Sequence, residues 1–159
     1  MPDLKLLSDV FSPHYIKTLR YEGDHPSRTL SFMPNLIRSI FRITSTNFYE
    51  DEIKWDRSSE NIEFYGQWRG KDTKDARTTF WMKVKVIGKQ NAKDKKGYVT
   101  IYIHPYLVTK FNYNNFWDKA LYFSYTRLFY KAQRRKYIEK QLYLSNRFEQ
   151  ELKKELGIR

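Results

Sequence analysis

Three stretches in the middle of the chain alternate apolar and polar residues with a period of two, and nothing else in it constrains the fold as strongly. In the run 62–69, Ile62, Phe64 and Trp68 fall on one side and Glu63, Gln67 and Arg69 on the other. Phe80, Met82, Val84 and Val86 alternate with Trp81, Lys83 and Lys85, and Val99, Ile101 and Ile103 alternate with Tyr98, Thr100, Tyr102 and His104. Successive side chains of a strand point to opposite faces, so each run predicts a strand with one face covered. Residues 52–57 alternate as well, and Ser58, Ser59, Glu60 and Asn61 supply turn residues before Ile62. The pattern predicts an antiparallel meander, apolar on one face and polar or aromatic on the other.

Upstream, residues 14–22 read as a further strand. Pro34 is well placed for the first turn of a short helix through Ile43, with Leu36, Ile37, Ile40, Phe41 and Ile43 as its apolar stripe and Arg38 and Arg42 outward. Downstream, the chain from about Asn115 to Leu156 has no Pro or Gly and is rich in helix formers. Unbroken, such a helix would run roughly 60 Å, about twice the diameter of a small domain. It either breaks, most naturally near Ser145–Asn146, or projects from the body. Leu121, Leu128 and Leu142, joined by Trp117, Ala132 and Ile138, form one apolar column on it. Phe116, Phe123, Tyr130, Tyr137 and Leu144 form a second, about half a turn away. One column packs on the sheet; the other is covered by a loop or the N-terminal segment, or it meets a partner.

These elements predict an α+β fold, an antiparallel β-meander packed against a long C-terminal α-helix with a short N-terminal helical segment. Its 159 residues fit a single domain, 1–159, with a strand-rich body over 12–114, the short helix near 34–43 and the C-terminal helix over 115–156. An aromatic content of 18% excludes disorder as a description of the whole chain. The absence of cysteine excludes disulfides, thiolate zinc sites, iron–sulfur clusters and a cysteine nucleophile. No run reaches the roughly 18 apolar residues of a spanning helix. The longest uncharged stretch, residues 97–109, alternates as a strand. Asp3 and Asp9 around Leu4, Leu6 and Leu7 do not suit a secretory h-region. A soluble, intracellular protein without a membrane span is expected.

The formal charge of +12 is unevenly placed. Residues 69–96 hold 10 basic and 3 acidic residues, residues 127–159 hold 10 and 4, and the remainder comes to −1. The first block is Arg69, Lys71, Lys74, Arg77, Lys83, Lys85, Lys89, Lys93, Lys95 and Lys96, densest from Lys89 to Lys96 in a polar connection between two strands. The second is Arg127, Lys131, Arg134, Arg135, Lys136 and Lys140, on a helical pattern shared with Phe123, Tyr130 and Tyr137. Clustered cations neutralise phosphates, and neighbouring rings stack on bases. Solvated charge on a soluble surface would produce the same runs.

Signals for catalysis are weak. His14, His25 and His104 have neither metal-ligand nor triad spacing, and His104 on a polar strand face reads as a surface or structural residue. Glu50, Asp51 and Glu52 lack the spaced oxygens of a calcium loop. Isolated glycines exclude a phosphate-cradling loop. Asp72 and Asp75 are flanked by Lys71, Lys74 and Arg77, which points to charge compensation in a turn. No catalytic residue, metal or cofactor is assigned.

The order of a first strand, a helix around 34–43, a meander from Glu52 to Ile103 and a long C-terminal helix resembles the helix-grip fold of the START/Bet v1-like superfamily. That resemblance implies a sheet curved around the C-terminal helix with an apolar ligand in the gap, lined by Phe64, Trp68, Phe80 and Met82. The leading expectation is instead a non-enzymatic protein that engages a polyanion, RNA or a ribonucleoprotein surface, through Lys89, Lys93, Lys95 and Lys96 together with Arg127, Lys131, Arg134, Arg135, Lys136 and Lys140. In that reading Phe123, Tyr130 and Tyr137 serve as an aromatic interface or stacking surface. The alternatives are the helix-grip carrier and a structural subunit, in which the second face of the helix packs on a protein partner or another copy.

Overall fold

A computed structural model describes residues 3–112, 116–125 and 130–158. The element order is β1 (Asp3–Asp9), β2 (Lys17–Asp24), α1 (Thr29–Phe41), β3 (Phe48–Asp56), β4 (Asn61–Thr73), β5 (Thr78–Asn91), β6 (Lys96–Asn112), α2 (Phe116–Tyr125) and α3 (Lys131–Leu156). The expected α+β class is what forms. Six antiparallel strands make one sheet in the order β1-β6-β5-β4-β3, with β2 also paired to β6. Among the described residues no helix is long and apolar enough to cross a membrane.

The strand-rich body begins earlier than residue 12, because 3–9 is itself a strand. β1 lies along Tyr106–Asn112 and β2 along Lys96–Ile103, so the two share a single edge position beside β6. Pro105 explains where that edge is cut. A proline has no N–H for a ladder and disfavours central strands. The Pro105 carbonyl accepts from Val10 N–H, so its nitrogen faces the same side, where β1 has ended and β2 has not begun.

The period-two runs settle into the predicted faces over longer strands. Inward lie Ile62, Phe64 and Trp68 on β4, Phe80, Met82, Val84 and Val86 on β5, and Val99, Ile101, Ile103 and Leu107 on β6, none more than 7% exposed. Two glycines shape this face: a Cβ on Gly66 would run into the ring of Trp68 and into Leu30 of α1, and one on Gly88 into the ring of Phe64. Large rings therefore lie flat where a side chain would prop them off the sheet.

Helices α1 and α3 cover the inward face. α1 buries Thr29, Met33, Ile37, Ile40 and Phe41 at helical spacing, and Phe41 joins Phe80 of β5 to Phe148 of α3 through ring centroids 5.4 and 5.7 Å apart. The helix is displaced from its expected start. Pro34 sits at its sixth position rather than in its first turn, because the buried stripe reaches back to Thr29. It ends at Phe41, with Arg42 left-handed at φ 53° and Ile43 N–H bonded to the Arg38 carbonyl. The expected break at Ser145–Asn146 is also absent. α3 runs through both residues, and Ser145 is fully buried in its packed face, followed on the same face by Phe148, Leu152 and Leu156.

Candidate polyanion interface

The helices leave the other face of the sheet uncovered. Register assigns its residues, because directly opposed residues of an antiparallel pair share a face. One row across the sheet is Tyr49–Arg69–Lys83–His104, from β3 to β6. The row on one side is Lys71–Trp81–Tyr106–Asp9, ending on β1. On the other side lies Glu52–Gln67–Lys85–Tyr102–Thr18, then Lys54–Tyr65–Ile87–Thr100–Arg20, both ending on β2. Strands are about 4.8 Å apart and same-face residues about 6.8 Å apart along a strand. Arg69, Lys71, Lys83 and Lys85 are thus immediate neighbours, framed by Tyr49, Trp81, Tyr102 and Tyr106.

Contacts within this array are largely between cations and rings. The Arg69 guanidinium lies 5.5 Å from the Tyr49 ring centre and 5.7 Å from that of Trp81, and Lys71 is 6.0 Å from both. Lys85 is 5.8 Å from Tyr65 and from Tyr102. Arg69 is also gripped by Asp51 through two hydrogen bonds of 2.7 and 3.0 Å. Asp51 is the extra residue of a bulge between Glu50 and Glu52, which explains how the acidic triplet opening β3 is used. Burial pushes the Tyr106 phenol up, while the positive charge of Arg69 pulls it the other way, so Arg69 acts across β5. Among the described residues, Lys71, Lys83 and Lys85 have no carboxylate at ion-pair distance.

His104 stands at the margin of this face, its Nε2 3.1 Å from Asp9 Oδ1 and its ring 4.8 Å from that of Tyr106. Asp75 serves the turn, where its Oδ1 accepts from Arg77 and Thr78 N–H at 2.7 Å, and Asp72 pairs with Lys74. Asp72 therefore does the local charge compensation expected of it, while Asp75 serves the backbone of the turn instead.

The basic segments singled out from the sequence do not come together. Lys89 is at one end of the open face, paired to Glu63 at 3.0 Å. Lys93, Lys95 and Lys96 form the β5–β6 turn just beyond it, where Asn91 Oδ1 accepts from Lys93 N–H and Lys95 is left-handed at φ 62°. The first half of α3 is at the opposite end, since Tyr137 donates to Asp75 Oδ2 at 3.0 Å in the β4–β5 turn. The 14 residues of β5 separate these ends by about 43 Å at roughly 3.3 Å per residue. Lys131, Arg135, Lys136 and Lys140 are exposed on α3, on the helical side of the sheet, and Arg135 pairs with Glu139. Arg134 is half-buried, and burial lowers its pKa. Arg127 lies outside the described residues.

The proposed aromatic stripe divides too. Tyr130 is 3% exposed, Tyr137 packs against the core and Phe123 is 62% exposed on α2. Tyr130 and Tyr137 are thus turned inward, and only Phe123 is presented. Phe64, Trp68, Phe80 and Met82, the residues assigned to a ligand gap, belong to the hydrophobic core cluster and are at most 2% exposed.

Reading charge density along the chain missed Arg69, Lys71, Lys83 and Lys85 as a group. The signal available for them was their shared parity with Tyr65 and Trp81, alternating with the buried residues of β4 and β5.

No protein-family model and no curated protein matches the chain. Among solved structures, a protein of unknown function from Staphylococcus aureus is similar at 8% identity and a TM-score of 0.31, over 89% of this chain and 94% of that one.

Proposed function

We propose that the protein is a non-enzymatic RNA-binding protein, acting on RNA or a ribonucleoprotein surface, and that the strand lies across the open face of the sheet. The observation that carries this reading is Arg69 directly opposite Lys83, with Lys71 and Lys85 alongside. Like charges opposed across a strand pair disfavour folding, and Asp51 pairs with Arg69 alone, leaving the Lys83 charge uncompensated among the described residues. Features that oppose folding concentrate where function requires them. Phosphates neutralise Lys71, Lys83 and Lys85, which among the described residues have no carboxylate at ion-pair distance, and share Arg69 with Asp51. The rings of Trp81, Tyr102 and Tyr106 offer stacking surfaces to unpaired bases. Such a surface reads little sequence, and its natural setting is the RNA-rich interior of a cell. Binding to mixed RNA at low and at moderate salt tests the reading: affinity should fall steeply as salt rises, and salt-independent or absent binding ends it.

A protein partner is the second reading, favoured by α2. Trp117, Leu121 and Phe123 of this helix are 74, 67 and 62% exposed, more apolar surface than a solvated helix of ten residues ordinarily presents. Light scattering that finds only monomer would remove self-association through α2.

A further inference from the structure

A cleft of about 280 Å³ opens at the β5–β6-turn end of the same face. That is just under the roughly 300–1,000 Å³ of complete small-molecule sites, so it suits one ring system rather than a whole ligand. Tyr65 and Tyr98 bring aromatic rings to its lining, and Lys54, Lys89, Asp56 and Glu63 bring two ammonium groups and two carboxylates.

The two carboxylates are not equivalent. Glu63 is engaged by Lys89. Asp56 Oδ1 accepts the Ser58 N–H at 2.8 Å, and among the described residues no cation pairs with this carboxylate. Hydrogen bonds from the Ser58 backbone and hydroxyl hold the Asp56 carboxyl below its ordinary pKa, so at neutral pH it is purely an acceptor. Lys54 is two residues back along β3 on the same side, about 6.8 Å away; its ammonium contacts Glu52 Oε1 at 2.7 Å and keeps further N–H donors for a ligand.

A planar ligand that satisfies this set needs two adjacent N–H donors on one edge, with a carbonyl beside them for the ammonium. Among the nucleobases guanine alone has that edge: N1–H and N2–H for a carboxylate, and O6 next to them. Uracil offers one N–H between two carbonyls, and adenine and cytosine each set an acceptor nitrogen beside their amino group. We propose that the cleft takes one unstacked guanine base, Asp56 accepting from N1–H and N2–H and Lys54 donating to O6. The inference rests on the RNA-binding reading and adds to it a single position at which sequence is read.

The test compares a short all-uridine RNA with the same RNA carrying one internal guanosine, by fluorescence anisotropy on the full chain at moderate salt. The guanosine RNA should bind about tenfold tighter, within the range of one bidentate base contact. Asp56→Asn, which keeps an oxygen for Ser58 N–H, should erase that difference and leave the uridine RNA bound as well or slightly better. Excess guanosine monophosphate should likewise remove the advantage, and uridine monophosphate should not. Equal affinity for the two RNAs, or an advantage that survives Asp56→Asn, overturns the guanine cleft and leaves RNA binding standing. Failure of both RNAs to bind overturns the two together.

Discussion

Lys83→Gln separates a functional cation from a solubilising one, because the open face gives it opposite effects on binding and on stability. Lys83 faces Arg69 on one side and His104 on the other, and among the described residues it has no carboxylate at ion-pair distance and sits over no ring. Removing its charge relieves a like-charged cross-strand pair, worth about 0.2–1 kcal/mol of added stability. Binding should move the other way. If Arg69, Lys71, Lys83 and Lys85 each neutralise one phosphate of a single strand, affinity varies with salt with a logarithmic slope of about −2.8. Between about 50 and 200 mM salt the protein then loses about 50-fold in affinity, and the variant, with three cations and a slope of about −2.1, about 20-fold.

The paired assays are urea denaturation and RNA anisotropy across a salt series, both on the full chain. A stabilised variant with a shallower salt slope is the expected outcome. Lys83→Glu, which places a carboxylate opposite Arg69, should extend both trends. A variant that is less stable and keeps the original slope would refute the reasoning, since Lys83 would then contribute to the fold and not to phosphate binding.

Three further outcomes follow from the packing. Burial works to raise the pKa of Glu149, but hydrogen bonds from Lys17 and Lys153 outweigh it and hold the carboxyl below its ordinary value. A depressed carboxyl adds stability above its unfolded pKa of about 4.3 and loses it as pH falls through the folded value. Glu149→Gln should therefore destabilise near neutral pH and become indistinguishable from the parent below that range, as followed by denaturation at stepped pH. Tyr137→Phe removes the 3.0 Å bond that ties α3 to Asp75 in the β4–β5 turn, and should cost about 0.5–1.5 kcal/mol in urea. Gly66→Ala forces a methyl against the Trp68 ring and Leu30, and should cost about 1–3 kcal/mol by the same measurement.

How much of this was legible in the sequence depended on whether the signal was local. Period-two alternation at Phe80–Val86 and Val99–Ile103 is a property of neighbours, and it placed both faces of β5 and β6 correctly. β1 escaped because Leu7 points outward and is 65% exposed, which puts two leucines side by side and spoils the alternation. The start of α1 escaped because Pro34 carries a strong local signal for a first turn, and the burial of Thr29 and Met33 that overrides it is tertiary. Ser145 resembles a helix breaker by composition and is instead held in the helix by the packed face it shares with Phe148.

The open face depended on register, which no local window contains, and yet one turn supplies it. Lys74, Asp75, Ala76 and Arg77 connect β4 to β5, and Thr73 pairs with Thr79. Every later pair follows by stepping outward one residue on each strand, so Lys71 must face Trp81, Arg69 must face Lys83 and Gln67 must face Lys85. The turn itself is readable, since Asp75 among basic neighbours is a turn former whose carboxylate takes two backbone N–H groups. Density along the chain pointed to Lys93–Lys96, which a turn exposes to water at little electrostatic cost. Folding the hairpin on paper points to Arg69 and Lys83, where two cations oppose each other and the fold carries the cost; that opposition is why this pair, and not the denser run, is assigned to the phosphates.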